Sequence, residues 1–218
     1  IGNYHATSNT LANQALAKGL FATLLPMIPL GLVILPFTIS FGRDMADGVT
    51  TRFVLFGYRM AKQLVAKFVS VAILVSLVTV VYCLVLYQVL PLPSMSMLSL
   101  ANVFASTMIL TAALYLLSFA IAQVFKGFNM IQGVAMVCYF GIAFLTGSMG
   151  TFQLPRTLEK AIEWIPFAAI RETLKMHWGS NTVTDMQTEW FKLIVFLLIT
   201  LFLFGLAEFY RRLKIHAV

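Results

Sequence analysis

The side chains of this chain that could do chemistry are few and sit mainly at the edges of apolar runs. The three histidines, His5, His177 and His216, are far apart and fall on differing sides of those runs. They form no metal-ligand spacing and no pattern for a histidine-based enzyme mechanism. No G-x-x-x-x-G-K-[ST] phosphate loop occurs, so the chain is not expected to hydrolyse ATP itself or to bind a cofactor. No Asp or Glu falls at the middle of an apolar run, which removes both paired acids for hydrolysis and the intramembrane ionisable group that a proton-coupled carrier uses. Glu208 stands near the end of a run, where Arg211 or Arg212 is the expected partner. What remains is a charged cluster, Arg43, Asp44, Asp47 and Arg52, and a scatter of weakly polar residues such as Ser70, Ser76, Thr79, Ser106, Thr107, Thr111, Ser118 and Gln123. Those residues suit either the lining of a path or helix-helix hydrogen bonding, and for any single one the second is the simpler reading.

The elements that must position these groups are apolar helices. Hydrophobic residues make up 60% of the chain and charged ones 11%, with a mean hydropathy of +0.90, values that belong to a membrane protein. A helix needs roughly 20 mostly apolar residues to cross a hydrocarbon layer. About five runs meet that length: Leu20 to Phe41, Gln63 to Leu90, Leu98 to Phe125, Met130 to Met149 and Trp190 to Tyr210. The first carries Pro26, Pro29 and Pro36 and is expected to kink. The second stops at Pro91 and Pro93, and the polar break Lys126 to Asn129 reads as a turn between antiparallel helices. The expected fold class is therefore all-α, a polytopic helical membrane protein, with residues 1–218 as one transmembrane domain. Cys83 and Cys138 lie inside spans and read as free buried thiols.

Sidedness follows from the basic residues. Arg43, Arg52, Arg59, Lys62, Lys67, Lys126, Arg211, Arg212 and Lys214 fall on one side, with few acids to offset them. Lys18, Arg156, Lys160, Arg171, Lys175 and Lys192 fall on the other, nearly balanced by Glu159, Glu163, Glu172, Asp185 and Glu189. The first side is the expected cytoplasm, with the carboxyl end inside and the amino end outside. An outside start leads to the expectation that one more span precedes Ile1, residues 1–19 being the end of an outer loop or domain; a cleaved signal peptide is the alternative. The net charge of +7 reads as topology and attraction to anionic membrane lipid, with no nucleic-acid partner.

Two amphipathic segments lie between spans. On the inner side, in Phe41 to Phe68, Met45, Val49, Phe53 and Phe56 recur at helical steps, with Asp44 and Asp47 expected early in the helix and Arg52 and Arg59 late, as its dipole favours. Such a helix lies flat at the inner surface, and an interfacial anchor is one reading of it. On the outer side, Gly147 to Ser180 carries a stripe of Leu158, Ile162 and Ile165 broken at Pro166, with Trp164 and Trp178 as interface residues. Two short helices dipping into the outer leaflet fit, as does an ordinary outer loop.

These residues carry a resemblance. The inner segment resembles the first cytosolic loop of the type-2 family of ABC transporter permeases through Arg43, Asp44, Asp47, Gly48, Phe53, Val54 and Lys67, although Val49 replaces a usual Thr and Gly57 stands where Pro is common. The outer segment is similar to that family's re-entrant hairpin through Leu154, Pro155, Ile165, Pro166 and Arg171. The resemblance covers essentially the whole chain and implies six spans in the complete domain. It implies one membrane half of an exporter in the plasma membrane, or the inner membrane of a bacterium, paired with a second half. ATP and Mg would be bound and hydrolysed by a partner ATPase that docks on a coupling surface of Arg43, Asp44, Asp47, Gly48, Thr51 and Arg52. A greasy interior favours a hydrophobic or amphipathic substrate such as a drug, lipid or peptide. The competing readings are a non-transporting receptor or assembly protein with an outer domain, and a secondary carrier.

Overall fold

The computed structural model describes residues 13–57 except 15 and 18, then 60–89, 97–125, 127–145 and 183–216. Every element among them is helical. We number them α1 (Gly19–Ala46), α2 (Val49–Leu55), α3 (Met60–Val89), α4 (Met97–Val124), α5 (Phe128–Leu145) and α6 (Val183–His216). Four stretches are long and apolar enough to cross a membrane, namely Gly19–Ala46, Lys62–Val89, Leu100–Val124 and Trp190–Phe209. The apolar helix Phe128–Phe144 is shorter and sits at the lower limit of spanning length. The described chain is thus an all-α bundle with four to five helices of the kind a multi-pass membrane protein needs. The outer segment with Leu154, Pro155, Trp164, Pro166 and Arg171 lies outside the described residues, as do residues 1–12.

The prolines of α1 act as their chemistry requires. Each lacks an N–H and crowds the carbonyl one turn back, so the ladder must widen or break. A turn at Leu25 and Pro26 and a π-helical stretch over Leu30–Ile34 absorb that mismatch, after which the helix resumes through Pro36 to Ala46.

The helix α4 is the centre of the bundle. Some 61% of its apolar window is buried, against 22% for α3 and 17% for α6, and it packs against α1, α3, α5 and α6. Buried hydroxyls on α4 do not need partners across the bundle. Ser106 and Thr107 donate to the Val103 carbonyl (2.9 and 2.8 Å), Thr111 to Thr107 (2.7 Å) and Ser118 to Leu114 (2.8 Å). On α3, Ser70 and Ser76 likewise donate to Ala66 and Ala72. These residues therefore satisfy themselves locally, at little cost to the packing of an apolar interior. By contrast the outward faces of α3 and α6 remain apolar and exposed, as at Val65, Ile73, Leu77, Leu84, Leu198 and Phe202. Faces of this extent require lipid or another apolar surface around them.

Antiparallel α1 and α3 are tied near both ends. At one end the Tyr82 hydroxyl donates to the Phe21 carbonyl (3.1 Å) with the two rings 5.3 Å apart. At the other an ion pair joins Lys67 to Asp44. Both cysteines, Cys83 and Cys138, are free thiols.

Candidate functional site

The inner segment expected as one helix is divided in three. The first long helix runs on to Ala46, a turn at Asp47 and Gly48 follows, α2 covers Val49–Leu55, and a second turn at Phe56 and Gly57 leads into α3. Asp44 and Asp47 therefore stand at the carboxyl end of α1, not at the start of an inner helix, and the dipole argument for them is reversed. Charged residues normally end a buried helix, but here tertiary partners receive them. Arg43, in the last turn where a cation is favoured, lies 5.7 Å from the centre of the Phe128 ring at the start of α5. Asp44, unfavourable there by dipole, is held by Lys67, whose ammonium also lies 4.8 Å from the centre of the Phe41 ring. The Asp47 amide closes the helix on the Arg43 carbonyl at 2.8 Å.

Gly48 and Gly57 take positive φ angles of 66° and 80°, with open space where a Cβ would stand. Each reverses the chain in the left-handed region, where a branched side chain costs about 1–2 kcal/mol. Gly48→Val is accordingly expected to lower the thermal midpoint of the detergent-solubilised chain by a few degrees, whereas Gly48→Asn, a residue that tolerates this region, is expected to lose less than half as much. Equal losses would mean that the turn is not what the substitution strains.

The short helix α2 starts with the Arg52 amide on the Gly48 carbonyl (3.0 Å). Asp47, Arg52, Phe53, Leu55 and Phe56 are exposed on and around it, Leu55 and Phe56 at 80%. Met45, expected on the same stripe, belongs to α1 and packs against the core. Thr51 lies within α2; its side chain is outside the described set.

Beneath the turn lies an aromatic layer. Phe41 meets Tyr115 (5.4 Å) and Phe119 (5.2 Å), Phe68 meets Tyr115 (5.4 Å), and Phe119 meets Phe204 (5.3 Å). The Tyr115 hydroxyl donates to the Leu64 carbonyl on α3 at 2.8 Å. Glu208, expected beside Arg211 or Arg212, accepts from the Gln123 amide at 3.2 Å, joining α6 to α4. The junction thus fastens the neighbouring ends of α1, α3, α4, α5 and α6 and leaves α2 as its projection. Among the described residues no group of three or more His, Cys, Asp or Glu is placed to hold a metal ion.

Of the expected coupling residues, Arg43, Asp44, Asp47, Gly48 and Arg52 are brought to one corner. Sequence reasoning missed Tyr115 and Phe119, named Gln123 only among the weakly polar residues without its partner Glu208, and did not pair Lys67 with Asp44. The four-residue spacing of Phe37 with Phe41, and of Tyr115 with Phe119, was the available signal for the aromatic layer. Searches with this chain against family models, curated proteins and solved structures found no match.

Proposed function

We propose that this chain is a membrane-spanning permease half of an ATP-driven exporter of the ABC type-2 kind. The observation that carries the reading is α2: a short helix with exposed charge and exposed phenylalanines, set between two glycine turns, joining two apolar helices that are locked together directly behind it. A cytosolic nucleotide-binding ATPase holding ATP and Mg engages that helix. Because Asp44 and Lys67 bind α1 to α3, a push on α2 moves both helices as a unit and is not dissipated in a loop. A second permease half, identical or different, completes the path. The substrate is hydrophobic or amphipathic and leaves the cytoplasm across the plasma membrane, with the carboxyl end of this chain on the cytoplasmic side. The same reading assigns the segment 147–180, with Leu154, Pro155, Trp164, Pro166 and Arg171, to the outer re-entrant hairpin; it lies outside the described residues.

The test is retention of the motor. Tagged full chain, taken from its native membranes in mild detergent, is expected to hold an ATPase subunit that carries a phosphate loop. Asp47→Ala together with Arg52→Ala is expected to reduce that retention, or the drug-stimulated ATPase rate, by about threefold to tenfold while the melting profile stays unchanged. Absence of any ATPase from the wild-type preparation, or equal retention and stimulation in the variant, counts against the reading.

A further inference from the structure

An apolar cavity of about 320 Å³ opens on the flank of the bundle between α3, α4 and α6, walled by Leu64, Val65, Phe68, Ala112, Tyr115 and Phe204. Its size falls in the range of small-molecule sites, roughly 300–1,000 Å³. The one polar side-chain atom among these residues, the Tyr115 hydroxyl, is already engaged with the Leu64 carbonyl. An occupant therefore gains nothing by carrying a hydrogen-bonding group into the cavity, and a hydrocarbon chain suits it best.

Charge lies next to this greasy slot. Lys62 is exposed in the first turn of α3, three residues before Val65 and so on the same helical face, about 4.5 Å further along the axis. A lysine there lays its stem on apolar surface and holds its ammonium at the membrane boundary. On the opposite lip Glu208, one turn beyond Phe204, accepts from Gln123 and confines an anion to the α3 side. We propose that this cavity is a binding site for an anionic phospholipid, with one acyl chain between α3, α4 and α6 and the phosphate on Lys62.

The site needs no ATPase, so its test is separate from that of the exporter reading. The delipidated full chain in detergent is titrated with dioleoylphosphatidylglycerol or dioleoylphosphatidylcholine, and bound lipid is read by native mass spectrometry. Wild type is expected to bind the glycerol lipid at least fivefold more tightly than the choline lipid. Lys62→Gln, a surface change, is expected to bring the first down to the level of the second. Ala112→Phe, which fills the slot, is expected to weaken both at least fivefold. Equal binding of the two lipids by wild type overturns the proposal, as does a Lys62→Gln variant that keeps the preference. An Ala112→Phe variant that melts like wild type and binds both lipids undiminished overturns it too; should that variant fail to fold, Lys62→Gln decides alone.

Discussion

Gly42→Leu is expected to lower the thermal midpoint of the detergent-solubilised chain by roughly 5–10 °C, on the basis of about 2–4 °C per kcal/mol for a chain of this size. The cause is contact between α1 and α5. A Cβ built at Gly42 meets two side-chain carbons of Ile131, Cδ1 and Cγ2, each at 3.0 Å, and the Ile131 Cβ at 3.5 Å. The outer methyl of Ile131 can rotate away on χ2, but Cγ2 moves only if χ1 leaves the one rotamer a β-branched residue favours in a helix, and the Cβ moves only with the backbone. Leucine adds three further carbons to the same gap, in a region where Gly42 and Ile131 are both buried. Overpacking of this kind costs about 1–3 kcal/mol, and the upper end applies where backbone must yield. Gly42→Ala is expected to show a smaller loss. Ile131→Ala, which removes the two crowded carbons, is expected to destabilise alone through the space it opens, yet to recover part of the loss when combined with Gly42→Leu. The pair must therefore be non-additive by about 1 kcal/mol or more. Scans at a fixed heating rate give the comparison, since unfolding of such a chain is governed by rate as well as by equilibrium. An additive double variant would show that the two helices do not meet at this point.

The legible and illegible parts of the fold divide along the same physical line. Apolar runs of spanning length are a local property, and the apolar stretches Lys62–Val89, Leu100–Val124 and Trp190–Phe209 match the expected runs within a few residues, although the helix holding the last extends well past it at both ends, from Val183 to His216. The break at Lys126 to Asn129 is equally local, and Gly127 turns the chain there with a φ of 91°. Residues Arg43 to Ala46 are different. Read alone, an Arg and an Asp after an apolar run end the span, and an inner helix is expected to begin there. In the bundle α1 continues because Phe128 receives the arginine and Lys67 the aspartate, 85 and 23 residues away in sequence. No periodicity carries such pairings. The same holds for the bond that Gln123 donates to Glu208, 85 residues away on another helix. The corner holding Arg43, Asp44, Asp47, Gly48 and Arg52 was thus visible as a cluster, while the contacts that make it stiff were not.

Those contacts lead to the second large effect. Lys67→Met keeps an unbranched side chain over Phe41 but removes the cation from Asp44, leaving a carboxylate that is only 28% exposed at the end of a helix whose dipole already disfavours it. Deleting one member of a fully buried pair costs about 3–5 kcal/mol. An exposed pair is worth about 0–1 kcal/mol. With Lys67 at 35% and Asp44 at 28% exposure, the expected loss is intermediate, about 1–3 kcal/mol. Asp44→Asn is expected to cost less, because the lysine that remains can still reach toward water and keeps its place above the Phe41 ring. The double variant Asp44→Asn with Lys67→Met is expected to be more stable than Lys67→Met alone, since the stranded charge is gone; this is the sign that separates an ion pair from simple packing. If Lys67→Met melts as wild type does, α1 and α3 are not joined here. If the double variant is worse than either single one, the two side chains act separately. In either case α2 would hang from two independent helices, and force applied to it would bend the turn at Gly48 before it moved a span.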